Sequence, residues 1–304
     1  MYLNAERIAV ADKAIRDTFE QTSIAWQAIP HWDVGDRGQL RVRNDNAYAP
    51  AVKEGELSPP ISPGDSLKLE AKSVRFAMTV AQTIAPTPDA LFAAVLARTV
   101  QLAGNVDSEV IDLLRKGAKQ SVTVTASSTP IQALLNALIA ARAKVEKFGY
   151  RAPSCLLTDT EGLKALNDLT SGLSDFQALL DAANINSVYR VDELGTGTGS
   201  GQDDVSDPGQ GDAPAKGSGQ DEVSDPGQAN VPFKGTLLLL GRRQRIPHGG
   251  AAATSAGEEP VDLAVSVPPG LEVVGETDGG DIEMSVRIRF APRFTDLYGV
   301  VNIV

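Results

Sequence analysis

Residues 281–304 read DIEMSVRIRFAPRFTDLYGVVNIV. Ile282, Met284, Val286, Ile288 and Phe290 alternate with Glu283, Ser285, Arg287 and Arg289. Successive side chains of a strand point to opposite faces, so this period of two sets an apolar row against a charged one. It is the cleanest such run in the chain and predicts a half-buried strand, followed by a short last strand over Tyr298–Val304. A second run answers it. Over 67–80, Val74, Phe76, Met78 and Val80 alternate with Ser73, Arg75, Ala77 and Thr79, which predicts one long strand. Gln39–Arg43 alternates as well, with Leu40 and Val42 on one side. Between these two lies KEGELSPPISPGDS (53–66), a turn-rich tip with three prolines. Strand, tip and strand describe a long two-stranded arm over 39–80. An isolated hairpin is marginal in water. The arm is therefore expected to pack on another subunit, and so is the helix that precedes it.

That helix is predicted from Asn4 to about Ala28, with Ile8, Ala11, Ile15, Phe19 and Thr22 on one face and Pro30 beyond its end. Pro86 and Pro88 open a second helix at Asp89, whose apolar face is Leu91, Phe92, Val95, Leu96, Thr99, Leu102 and Ala103, and which is expected to run into Gly104. A strand is predicted over Val122–Thr125, and a long helix from Pro130 to Phe148 closed by Gly149. A short buried strand around Cys155 follows, then two short helices near 160–170 and 174–184, then a strand over Val188–Val191. Beyond residue 230 the pattern is mostly β, with Thr236–Leu240 as a continuous apolar strand and another over Val261–Val267.

Residues 195–230 differ from the rest. They hold no Leu, Ile, Met or aromatic, and two near-identical copies, SGQDDVSDPGQ (200–210) and SGQDEVSDPGQ (218–228). Such a stretch has too little apolar surface to offset its ordering entropy. Seven acids against Lys216 give it a net charge of −6, so the chain's −11 divides into this segment and a body near −5. Asp203, Asp204 and Asp207 are close oxygen ligands, but the spacing of a helix–loop–helix calcium site is absent, and a solvated loop is the expectation.

Catalytic signatures are missing. The chain has 304 residues, only two His and one Cys, so an internal disulfide and a Cys/His metal cluster are excluded. Cys155 with His31 or His248 is arithmetically a nucleophile and base, without local support; a thiol between Leu156 and Leu157 reads as inert core. Gly195, Gly197, Gly199 and Gly201 lack the helix that a phosphate cradle needs. Trp26, His31, Trp32 and Asp33 read as a hydrophobic anchor at a helix-to-strand corner. Arg242, Arg243 and Arg245 form the one basic cluster, a candidate contact for nucleic acid or an acidic partner, or else a solvated turn or intersubunit salt bridge. The acidic balance argues against non-specific nucleic-acid binding by the whole surface. No apolar run is long enough to span a membrane, and the charged N-terminus is not a signal peptide.

The order of elements resembles the major capsid fold of tailed bacteriophages, shared with encapsulin shell proteins. IRDTFEQTSIAWQAIPHWDVGDRGQLRVRND looks like the arm and first loop strand, and AYAPAVKEGELSPPIS, with Glu54-Gly55, resembles the loop tip. LKLEAKSVRFAMTVAQTI resembles the returning strand, and the helix 89–103 with Gly104-Asn105 the spine helix and its turn. IQALLNALIAARAKVEKFGYRAPSCLLTDTEGLKAL resembles the helix, strand and helix of the central domain, and 281–304 the closing strands. The resemblance implies an α+β chain with an N-terminal arm (1–38), an extended two-stranded loop (39–80) and a spine helix with peripheral domain (81–121). The central, axial domain (122–194), the acidic insertion (195–230), the return of the central domain (231–260) and the closing peripheral strands (261–304) complete it.

It further implies a structural, non-enzymatic protein without cofactor, metal or catalytic residues. Many copies of the chain would form an icosahedral shell around packaged DNA or a cargo protein, with a decoration protein as a further partner and no membrane. The leading reading is a phage or prophage major capsid protein, located in the virion and assembled in the bacterial host cytoplasm. An encapsulin compartment is the alternative within the fold. A soluble enzyme or binding module, with an acidic linker joining 1–194 to 231–304, is the alternative outside it.

Overall fold

The computed structural model describes residues 3–44, 66–85, 87–125, 127, 130–167, 173–192, 194, 233–246 and 257–304. The tip at 53–65, Glu54-Gly55, the whole 195–230 segment with Asp203, Asp204 and Asp207, and His248 lie outside them.

The N-terminal helix is not continuous. Asn4 caps α1 (Ala5–Thr22) by accepting from the Arg7 N–H at 2.8 Å. Ser23 then adopts extended dihedrals and begins α2 (Ile24–Ala28). The reason for the break lies 84 residues away. The Ser23 hydroxyl donates to Asp107 Oδ1 at 2.6 Å. The same carboxylate accepts the N–H groups of Ile24 and Ala25, each at 2.9 Å. A buried carboxylate thus satisfies donors that a new helix start leaves open.

Asp107 belongs to α4 (Asp89–Gly117), the longest helix. Its buried stripe runs on past Gly104 through Val106, Asp107, Val110, Ile111 and Leu114. The expected stop at Gly104 is therefore corrected: that glycine is exposed, and the propensity it loses, about 1 kcal/mol, is outweighed by the buried face on either side of it. Leu91, Val95, Thr99, Leu102 and Ala103 are buried as the spacing predicts, while Leu96 is exposed.

Four strands lie across α4. They are β1 (His31–Asp33), β9 (Val261–Glu276), β10 (Ile282–Phe294) and β4 (Glu70–Met78), in that order. β1 and β9 run parallel, and the remaining pairs are antiparallel, with Val286 opposite Val74 and Met284 opposite Phe76. The apolar row of β10 and, on β4, Val74, Phe76 and Met78 are buried in the core that includes the stripe of α4. The returning strand expected in the arm pairs instead with β10. β4 belongs to the body, and among the described residues β2 (Arg41–Arg43) and β3 (Ser66–Lys68) pair as a separate two-stranded root. Val80 is not in the strand. Thr79 and Gln82 form a capping box that turns the chain into α3 (Val80–Ile84). The helix α1, expected to reach a neighbouring subunit, buries Ala11, Ile15 and Phe19 within its own chain against α4 and β9.

The second sheet has five strands, ordered β5 (Gln120–Val122), β11 (Val300–Ile303), β8 (Leu237–Arg242), β6 (Ala152–Thr158) and β7 (Ile185–Arg190). One face, carrying Cys155, Leu157, Leu238 and Leu240, joins the core beneath α4. The other, carrying Leu156, Leu237, Leu239, Val301 and Ile303, packs with the core side chains of α5 (Pro130–Lys147), α6 (Thr160–Asn167) and α7 (Leu173–Ala182). Burial on both faces explains why β8 reads as an unbroken apolar run. The last strand, β11, belongs here and not to the sheet of β9 and β10 with which the sequence groups it, because its Val301 and Ile303 complete the core against α5. Gly149 ends α5 at a φ of +89°, as the cap position predicts.

The segment 195–232 leaves and returns through a narrow neck. The Val191 N–H donates to the Thr158 carbonyl at 2.7 Å, and the Asp159 N–H to the Thr236 carbonyl at 3.2 Å. Asp159 also accepts the N–H groups of Gly162 and Thr236. Gly235 lies so close to Gly162 that a Cβ on it would stand 2.5 Å from the Gly162 Cα.

Removing the Asp107 carboxylate should be felt far from α4. Asp107→Ala is expected to lower the unfolding free energy by about 2–3 kcal/mol, read by chemical denaturation, with Asp107→Asn losing less. A loss under ~0.5 kcal/mol, the range of an ordinary surface change, would contradict the capping role.

Candidate functional site

The residues singled out from the sequence do not form one site. Cys155 is fully buried, and burial pushes its thiol up. Arg242 and Ser187 pull against that shift, and neither is a general base. His31 stacks on Trp26 with ring centroids 3.9 Å apart, and burial lowers its pKa. Trp26 also meets Phe19 edge-on. The anchor expected at this corner is thus present. Among the described residues, no group of three or more His, Cys, Asp or Glu is placed to hold a metal ion, and no helix is long and apolar enough to cross a membrane.

The basic cluster is divided: Arg242 turns inward, while Arg243 and Arg245 stay exposed, as a solvated turn would have them. Arg242 is 3% exposed and donates to the Ala28 carbonyl at 3.2 Å. Arg243 lies over the Tyr150 ring and donates to its hydroxyl at 3.2 Å. Arg243 and Arg245 are both exposed, and Arg245 lies beside an open groove of about 460 Å³ lined by Phe176, Leu180 and the edge strand β7.

Arg242 and Arg243 serve a waist between the two sheets. Among the described strands, three connections carry the chain across: α4 into β5, β8 into β9, and β10 into β11. They converge. The Tyr150 hydroxyl donates to Asp296 Oδ2 at 2.6 Å. Glu259, 1% exposed, accepts the N–H groups of Arg243 and Gln244, each at 2.8 Å. The Thr295 hydroxyl donates to the Glu259 carbonyl at 2.6 Å, and Gln120 Nε2 to the Tyr298 carbonyl at 2.6 Å. Burial holds the Glu259 carboxyl above its ordinary value, against the opposing pull of those N–H groups and of Arg242 and Arg243. Burial, and then the Asp296 carboxylate, raise Tyr150.

The third feature is the root of the extended loop, on the sheet face turned away from α4. Val42 and Leu69, with Leu67, Trp32 and Val34, cover Ala264 and Ala291. Arg41 bonds the Ser66 hydroxyl at 2.9 Å and its carbonyl at 3.0 Å. Beneath lies a buried ion pair: Arg293 grips Asp262 with Nε at 2.7 Å and Nη2 at 2.5 Å. Its Nη1 reaches the Arg43 carbonyl at 3.0 Å, and its guanidinium sits 4.7 Å from the Trp32 ring centre. No sequence signal marks this pair, since its members lie in different strands.

No family model matches the chain, and no curated protein matches its sequence. Solved structures do match. A virus-like particle from Pyrococcus furiosus aligns at a TM-score of 0.61 and 11% identity, over 99% of this chain and 100% of that one. A phage-related protein from Bordetella bronchiseptica aligns at 0.57 and 10% identity, over 97% and 96%. An encapsulin complex from Synechococcus elongatus aligns at 0.50 and 13% identity, over 90% and 84%. The chain has the fold shared by tailed-phage major capsid proteins and encapsulins. Within this capsid fold the waist, the loop root and the neck of the 195–232 segment are the features that the chain's own residues define most sharply.

The waist carries a pH dependence with a definite sign. The Glu259 pKa is raised above its ordinary 4.5 in the folded chain. The stability linked to it is therefore fully present below that value and declines as pH rises through the folded one. Glu259→Gln cannot ionise, so its unfolding midpoint should gain on the unsubstituted protein as pH rises from about 4 toward 7. A difference that is constant with pH, or of opposite slope, would count against the burial argument.

Proposed function

We propose that this chain is the structural unit of an icosahedral shell, and that the shell is a phage or prophage capsid enclosing DNA. The observation that carries this reading is the end-to-end match of the whole chain, with little left over on either side, to a virus-like particle structure. In this reading α4 is the spine helix, and the four-stranded sheet is the peripheral domain. The five-stranded sheet with α5, α6 and α7 is the central domain, and 195–230 is an insertion in it. The segment beyond the loop root would lie over a neighbouring copy, so that contacts weak singly become strong by multiplicity. The protein would act by contact and not by catalysis. It would assemble in the host cytoplasm, end in the virion, and need no cofactor. A decoration protein is a further partner of this reading. Leu96 and Val100, exposed one turn apart on α4, are apolar surface that a neighbouring copy could cover.

An encapsulin compartment with a protein cargo is the second reading, favoured by the match to an encapsulin complex. Neighbouring genes separate the two: portal and terminase for a phage, a cargo enzyme for an encapsulin.

Negative-stain microscopy and light scattering of the purified protein test the shell itself. Closed particles of megadalton mass are expected. A strict monomer or small oligomer at high concentration, unchanged by salt or crowding, would favour a soluble enzyme or binding module and overturn the reading.

Deletion of 196–229 is expected to leave assembly intact, because Thr158 and Asp159 hold both ends of the neck independently of what lies between them. Loss of all particles would give that segment a structural role.

A further inference from the structure

We propose that Arg293 is a positioning residue for assembly: it sets the direction in which the chain leaves the four-stranded sheet toward residues 45–65. The inference rests on the shell reading above, in which that segment reaches a neighbouring copy.

Two kinds of contact hold the root. The first is apolar: Val42, Leu67 and Leu69 on Ala264 and Ala291. Such contacts are non-directional. They keep the root on the sheet without choosing its angle. The second is polar and directional. Arg293 presents a planar fork of donors in fixed geometry. Two of its nitrogens are taken by Asp262, and the third donates to the carbonyl of Arg43, the last residue of β2. The fork cannot turn, because Asp262 is itself fully engaged. Its Oδ1 also accepts from Trp32 Nε1 at 3.0 Å, and its Oδ2 from the Gly257 N–H at 3.0 Å. Asp262 is 0% and Arg293 6% exposed. The Trp32 ring beneath the guanidinium fixes its plane. A weaker second tie, Arg289 Nη1 to the Arg37 carbonyl at 3.3 Å, holds the approach to the root.

Stability alone does not account for the pair. Apolar side chains of similar volume commonly serve a buried site as well as an ion pair does, or better. What they cannot supply is a donor aimed at a chosen carbonyl. The root is only three residue pairs long, from Arg41 opposite Lys68 to Arg43 opposite Ser66. A small change of angle there redirects both ends of the root, at Arg43 and Ser66.

The test uses the full chain and two changes. Arg293→Lys keeps the charge beside Asp262 but cannot hold the carboxylate with two nitrogens while bonding Arg43. The paired change Asp262→Leu with Arg293→Met removes both charges together and leaves no orphaned ion. Amide exchange is followed at 40–43 and 66–69 and, as internal controls, at Val286 and Leu239; particle yield and closure are scored by microscopy. The expected result is unchanged protection at the controls, with protection of the root lowered about tenfold, the scale of one charge-assisted hydrogen bond. Open or unclosed assemblies should replace closed shells. Root protection and closed-shell yield at the unsubstituted level would overturn the proposal. So would loss of the fold in both variants, which would make the role purely structural. If the unsubstituted chain forms no shell, the shell reading fails, and the exchange result still decides whether Arg293 orders the root.

Discussion

One helix gives the other elements something to rest on. α4 spans 29 residues, or about 43 Å at the usual rise, and it contacts α1, α2, α3, β4 and β10. The constraint is that its buried stripe must be covered along its whole length. The apolar rows of β4 and β10 cover part, and Ile15 and Phe19 of α1 cover more. Asp107 adds a polar condition in the middle of this contact: a buried carboxylate must be fully bonded, and the start of α2 meets that need. The turn from α1 into α2 is fixed by that one side chain.

This is also where the sequence is least legible. The alternation at 282–290 and at 74–78 identifies both strands and the faces they bury, because period two is a local property. The two-sided burial of β8 is visible in Leu237–Leu240 for the same reason. By contrast, the break at Ser23 depends on a residue 84 positions on, and no local pattern reports it. Gly104 reads as a stop because glycine weakens a helix, but the stripe from Leu102 to Leu114 outweighs it. Val80 continues the alternation numerically, and the capping box of Thr79 and Gln82 overrides it.

The basic cluster shows a related limit. Three arginines in four positions look like a surface patch when only their own segment is read. The partners of Arg242 and Arg243, which are Tyr150, Glu259, Asp296 and the Ala28 carbonyl, are supplied by four other parts of the chain. The same holds for Arg293 and Asp262. Arg242 and the Arg293–Asp262 pair are buried charges placed where the chain passes from one sheet to the other or leaves the body. The corner at Trp26 and His31 is the exception, since its anchor character is evident from residues only a few positions apart.

The neck at Thr158 and Asp159 bears on the history of the chain. Both ends of the intervening span are fixed to the same two residues, so neither β7 nor β8 needs to shift when that span changes length. A tandem duplication there would meet no selective barrier from the fold. The two eleven-residue copies at 200–210 and 218–228, which differ at a single position, have the form such an event would leave.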